Sequence, residues 1–221
     1  MNILQKFINN IHKKTSKDYR IKYLANKFSQ IIDSSCYRNE ASLKCLDVGC
    51  GDMAVAELIQ DRLQYTLWSC IDIHSPPDNY EFLKKWGKYS QFDGNKLPFF
   101  DKTFDVLLMS DILHHAGDDN IPLLLNEASR VSSYTVVKDN FESSLYSRWI
   151  LRIIDFLGNW GYGITVPNHY FTRDSFNRLT DSAGLKIISL DLHIDFYSRI
   201  FPIGHVVRPN WQFIALLKSS C

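Results

Sequence analysis

The chain contains no Cys-x-x-Cys pair. Its five cysteines, Cys36, Cys45, Cys50, Cys70 and Cys221, are scattered. That spacing argues against a disulfide framework or a zinc ribbon, and predicts buried thiols in a reducing compartment. No apolar run approaches the ~18 residues of a membrane-spanning helix, and the N-terminus lacks the compact apolar stretch of a secretory signal. The net charge is only +1, so no global field draws nucleic acid to the surface. His169, His193 and His205 have no partners at metal-ligand spacing, and no metal site is expected. Repeats and low-complexity tracts are absent. What remains is an ordinary globular composition, 45% hydrophobic and 22% charged over 221 residues. That length suits one good-sized domain, and a cytoplasmic enzyme is the expectation.

Residues 1–34 read as helical, with a break near Thr15 and Ser16. Ile3, Leu4, Phe7, Ile8 and Ile11 recur at helical spacing. Lys6, Lys13, Lys14, Lys17, Arg20, Lys22 and Lys27 accompany one acid, Asp18. This predicts a helical cap over residues 1–40 on a domain spanning 41–221. A lid, or weak contact with a membrane surface, is the sharper alternative. From Leu43 onward, strands predicted at 44–48, 66–73, 89–92, 104–109 and 133–137 alternate with helices at 53–63, 80–86 and 120–130. Such alternation predicts a parallel sheet covered on both faces. A large apolar helix follows at 141–157, broken by the glycines of 158–163. Thr172 then caps a helix ending at Gly184. Strands at 185–194 and 211–217 close the chain as an antiparallel pair.

Residues 43–53 join an apolar strand to a glycine turn that opens a helix. Gly49 and Gly51 let the backbone approach a ligand with no Cβ in the way. The helix start offers free N–H groups, and Asp47 adds an acceptor suited to a cationic amine. In a parallel sheet, ligands lie beyond the carboxyl ends of the strands. Those ends carry Asp47, Gly49, Cys50 and Gly51; Asp72, Ile73 and His74; Asp93, Gly94 and Asn95; Ser110, Asp111, His114 and His115; and Lys138, Asp139 and Asn140. Asp72 lies 21 residues past Gly51, the offset of an acid that receives ribose hydroxyls. Residues 49–54 literally fit the dinucleotide pattern G-x-G-x-x-A. Asp52 would repel a pyrophosphate there, however, and no third glycine opens the helix.

Taken in order, these segments resemble the class I S-adenosylmethionine-dependent methyltransferases. Leu-Asp-Val-Gly-Cys-Gly-Asp at 46–52 is similar to that family's first motif, and Cys-Ile-Asp-Ile at 70–73 to its ribose-binding acid. Phe92, Asp93 and Gly94, followed by 97–99 and 104–106, look like the adenine-side motif and fourth strand. Residues 110–115 resemble the segment after strand four in the small-molecule branch that includes quinone-biosynthesis methyltransferases. Met53 departs from the pattern, since many members carry a third glycine there. The resemblance implies a doubly wound, Rossmann-like α/β sheet of seven strands in the order 3-2-1-4-5-7-6, the last strand antiparallel, with residues 141–171 as a substrate-side insertion. It implies S-adenosyl-L-methionine as cofactor and a small-molecule acceptor, apolar or aromatic, with nucleic acid disfavoured. By residue, it implies that Asp47 binds the methionine amine, and that Gly49, Cys50 and Gly51 contact the methionine and ribose. Asp72 would take the ribose hydroxyls, flanked by Ile73. Asp93 and Gly94 would meet the adenine, and Ser110 and Asp111 would line the methionine moiety. Arg20 is a candidate for the cofactor carboxylate. A hydroxyl acceptor would call for a general base, for which His114, His115 and Lys138 are candidates. Against these stand blander readings: one structural histidine, a self-neutralising Lys138–Asp139 pair, and Cys50 as a small filler. An RNA or protein methyltransferase, a nicotinamide oxidoreductase and a non-catalytic cofactor-binding protein are the rival functions.

Overall fold

Two strands with few exposed side chains form the middle of the fold. β1 (Leu43–Val48) and β4 (Phe104–Ser110) pair in parallel, Cys45 opposite Val106 through Val48 opposite Met109. Successive strand residues point to opposite faces, and here both faces are covered. Leu46, Val48, Leu107 and Met109 enter one apolar cluster, whereas Cys45, Val106 and Leu108 enter the other. The continuous apolar sequence of 104–109 is the signature of that two-sided burial. The computed structural model describes residues 18–36, 42–75, 89–158, 166–195 and 206–220. The expected arm at 1–17, the short helix at 80–86 and the glycine break after 158 lie outside them.

Helix α1 (18–31) runs into a π-helical turn, Ile32–Cys36. It buries Leu24, Ala25, Phe28 and Ile32 against Met53, Ala56 and Ile59 near the start of α2 (Ala54–Arg62). The remaining elements are β2 (Thr66–Asp72), β3 (Tyr89–Gln91), α3 (Asn120–Val131), β5 (Ser132–Asn140), α4 (Leu145–Gly158), α5 (Arg173–Ser182), β6 (Leu185–Asp191) and β7 (Gln212–Ser219). They form one sheet of seven strands, ordered β3-β2-β1-β4-β5-β7-β6. β7 lies between β5 and β6 and runs antiparallel to both. This is the expected sheet. α3 buries Ile121, Leu124, Leu125, Ala128 and Val131 at helical spacing. Thr172 and Ser175 exchange hydrogen bonds in a capping box that starts α5.

Two local departures position the site. β5 does not stop at Val137. β7 supplies partners for Lys138, Asp139 and Asn140, opposite Ile214, Phe213 and Gln212, so these polar residues sit on rigid strand. The segment after β4 makes a 3-10 turn, Leu113–His115. α4 buries Leu151 but leaves Leu145, Trp149, Ile153 and Phe156 about half exposed or more, while Tyr170 and Phe171 are buried. No helix among the described residues is long and apolar enough to cross a membrane.

Candidate active site

The turn after β1 is built from left-handed backbone. Gly49 has φ 72, and a Cβ there would lie 2.4 Å from Ile112 Cγ2, so this position requires glycine both for conformation and for space. The N–H groups of Gly49 and Cys50 both donate to Ile71 O, at 2.8 and 3.2 Å, tying the turn to β2. Gly51 has φ 54, and a Cβ there would meet nothing within 4 Å. The turn therefore has an open side. Met53, the departure from the glycine pattern, keeps a glycine-like backbone at φ 59 while its side chain is buried in the core. Core burial of the thioether offsets the left-handed strain, about 1–2 kcal/mol for an L-residue.

The acids beside this turn are poorly compensated. Asp47, on β1, is buried, and among the described residues no donor bonds its carboxylate. Burial, with Asp72 and Asp52 nearby, pushes it up to about 8. Asp72 ends β2 and is buried. It accepts from Gly51 N–H at 2.9 Å and from His74 N–H at 3.0 Å, using two of a carboxylate's roughly four acceptor positions. Asp93 is exposed and accepts through Oδ1 from the N–H groups of Asn95 and Lys96, at 2.9 and 3.0 Å. Those bonds hold its carboxyl below the usual range. Ile73 is 52% exposed, and a Cβ added to Gly94 would lie 3.3 Å from its Cγ2. An apolar surface thus joins the tips of β2 and β3. A hydrogen bond with Cys70, and then burial, push the Cys50 thiol up, so it is a neutral filler rather than a nucleophile.

The tips of β4 and β5 differ. Ser110, half-buried, pairs with Lys138 across the strands. Asp111 has φ 56; its carboxylate bonds Lys138 Nζ through Oδ1 and Arg20 through Oδ2. Burial opposes ionisation of Asp111, but Lys138, Arg20 and His114 outweigh it and hold the carboxyl well below its usual range. Lys138 is 2% exposed, and burial lowers its ammonium despite Asp111. The partner of Lys138 is thus Asp111; Asp139 faces His114. Arg20 brings α1 to the strand tips.

His114, 5% exposed, has Nδ1 2.7 Å from Asp139 Oδ1. Its Nε2 lies 3.4 Å from Asp155 Oδ2, with no hydrogen bond among the described residues. Burial disfavours its charged form, but Asp139 and Asp155 prevail and push it up to about 10. His115 is half-buried, its ring centroid 4.0 Å from that of His114. Tyr170 O–H donates to Asp155 Oδ2. Sequence reasoning set Asp139 at a strand tip but did not pair it with His114, and it gave Asp155 and Tyr170 no place beside that ring. The available signal was Asp155, the only acid within the apolar pattern of α4.

A pocket for a cationic nucleoside needs an acceptor for the cation, a Cβ-free approach and an apolar face for the base. Asp47, the open side of Gly51, and Ile73 beside Gly94 meet these needs, and the residues fit S-adenosylmethionine. Residues 46–133 match the family described as "Methyltransferase domain". No curated protein matches the chain. A Haloferax volcanii methyltransferase solved with the Trm112 methyltransferase activator is similar in fold, at 13% identity and TM-score 0.57, covering 95% of this chain and 98% of that one. An S-adenosylmethionine-dependent methyltransferase from Aquifex aeolicus gives 16% identity and TM-score 0.54 over 86% and 88% of the two chains. The mitomycin 7-O-methyltransferase MmcR gives 17% and 0.59 over 90% of this chain and 53% of its own. Residues 46–133, from β1 to the start of β5, thus carry the likeness to a methyltransferase domain, and they hold the strand-tip acids Asp47, Asp72 and Asp93.

Proposed function

We propose that the chain transfers a methyl group from S-adenosylmethionine to a small molecule carrying a hydroxyl. The observation that carries this reading is Asp47, a buried carboxylate with no described donor, set beside an open glycine turn. The cofactor supplies an electrophilic methyl carbon on a sulfonium. Asp47 accepts from its amine, and Asp72 uses its remaining acceptor positions for the ribose hydroxyls. Cys50 contributes only backbone. Asp93 and Gly94 meet the adenine edge, and Ile73 packs on its face. Ser110 lines the methionine side. Asp111 and Lys138 position that wall through their ion pair rather than by touching the acceptor. His115, with Asp155 and Tyr170, faces the acceptor hydroxyl, and His114 supports it from the core. The described residues of 141–171 form the acceptor side of the proposed domain at 41–221, with α1 as its cap. The four cysteines among the described residues are all free, which supports a reducing, cytoplasmic setting. Alignment and exclusion of water supply the catalysis, worth up to ~7–11 kcal/mol in favourable cases.

Calorimetry with S-adenosylhomocysteine tests the cofactor site: Asp72→Ala should weaken binding at least tenfold, and unchanged affinity would overturn the assignment. Turnover with phenolic acceptors tests the acceptor class. Methyl incorporation into RNA or protein instead would replace that class and leave the cofactor site standing.

A further inference from the structure

The imidazole of His114 is held closely by a carboxylate on one side and only loosely on the other. Asp139, fully buried, takes its Nδ1 at 2.7 Å. The opposite nitrogen, Nε2, is buried and makes no hydrogen bond among the described residues, although Asp155 Oδ2 stands 3.4 Å away. A carboxylate on one ring nitrogen fixes the tautomer that presents the other as a lone pair, the outer-shell arrangement of metal-bound histidine. The surroundings supply further ligands. One ligand atom each from His114, His115 and Asp155 lie within 4.8 Å of one another. Tyr170 O–H donates to Asp155 and orients its carboxylate.

We propose that His114 Nε2, His115 and Asp155 hold a divalent first-row transition-metal ion of the zinc type, with Asp139 and Tyr170 as its outer supports. Two imidazoles and one carboxylate leave a coordination position open, as in catalytic rather than structural sites. Metal binding displaces the proton that Asp139 and Asp155 favour on His114; with both rings then neutral, the two carboxylates leave two negative charges in a buried cluster, and a dication balances them. Metal–ligand distances of about 2.0–2.2 Å require the three atoms to draw in. His115 and Asp155 are both half-buried. If the methyl-transfer reading holds, the ion would take the acceptor oxygen in its open position and favour the alkoxide or phenolate. The cation site itself does not depend on that reading.

The test uses the full, tag-free chain stripped with a chelator. Titration with Co2+ should give one saturable site with the intense visible bands of a four- or five-coordinate ion, and Zn2+ should abolish them. Asp155→Asn and His115→Ala should each weaken Zn2+ binding, measured by calorimetry, by tenfold or more. Asp139→Asn, acting through His114, should cost 10–100-fold. A Co2+ spectrum that stays that of the hydrated ion overturns the proposal, and so does unchanged Zn2+ affinity in variants with wild-type melting curves. If the variants unfold, the wild-type Co2+ spectrum decides alone. S-adenosylhomocysteine binding by the stripped chain, and its loss in Asp72→Ala, reports separately on the methyl-transfer reading.

Discussion

The two halves of the strand-tip edge hold buried acids under opposite conditions. At β1 and β2, burial and the neighbouring carboxylates Asp72 and Asp52 push Asp47 up to about 8. At β4 and β5, Asp111 is enclosed by Lys138 and Arg20 and held well below its usual range. Burial alone opposes ionisation at both positions, so the partners decide the outcome. The β4–β5 half is neutralised from within the chain. Among the described residues no cation offsets Asp47 in the β1–β2 half, and a cationic ligand would bring one.

The sharpest way to break this comparison is to titrate the folded chain. Asp47 binds a proton in the folded state that the unfolded chain releases near pH 4. Its contribution to stability is therefore complete below about pH 4 and is lost as pH rises towards 8, by up to about 1.4 kcal/mol per pH unit. Asp47→Asn should remove that slope, melt higher than wild type at pH 8–9, and bind S-adenosylhomocysteine poorly. Parallel melting curves for the two proteins between pH 5 and 9 would show that Asp47 is not the uncompensated group.

Removing charge from the other half should have the opposite sign. Lys138→Met leaves Asp111 buried beside Arg20 alone, and breaking a buried pair typically costs about 3–5 kcal/mol. Urea unfolding should register that loss. Adding Asp111→Asn, which keeps a residue tolerant of φ 56, should recover part of it. A Lys138→Met protein as stable as wild type would mean that the pair contributes nothing.

This contrast was only half legible in the sequence. The buried strands could be read because 44–48 and 104–109 are mostly apolar, and the carboxyl-end rule then set the acids of successive strands along one edge. The pairing among them was not legible. Lys138 and Asp139 are neighbours in sequence, but successive strand residues point to opposite faces, which sends one to Asp111 and the other to His114. Lys138, Asp139 and Asn140 look like loop until β7 is laid beside them. Asp155 comes from a helix remote in sequence, and only tertiary packing carries it to His114. Met53 reads as an obstacle to a glycine turn, yet the chain adopts the glycine conformation and buries the side chain.

Met53→Gly sharpens the account of the open turn. It relieves about 1–2 kcal/mol of left-handed strain but gives up a buried side chain, a loss of about 2–5 kcal/mol for truncations of this size. The net effect should be a destabilisation of about 1–3 kcal/mol in chemical denaturation. A gain in stability would mean that strain, not burial, dominates at this position.

Arg20 bridges the two halves, because it reaches from α1 to Asp111 while lying beside the proposed methionine pocket. Its side chain is 40% exposed, so the ion pair itself is worth about 1 kcal/mol or less, and Arg20→Ala should scarcely move the melting temperature. Asp111 keeps Lys138 and stays ionised. Cofactor affinity should respond more strongly. If Arg20 also meets the cofactor carboxylate, its loss weakens S-adenosylhomocysteine binding several-fold, and more at low salt than at high salt. Calorimetry at two ionic strengths separates the roles. A salt-dependent loss of affinity with little loss of stability makes Arg20 a ligand-binding residue, and equal affinity confines it to Asp111.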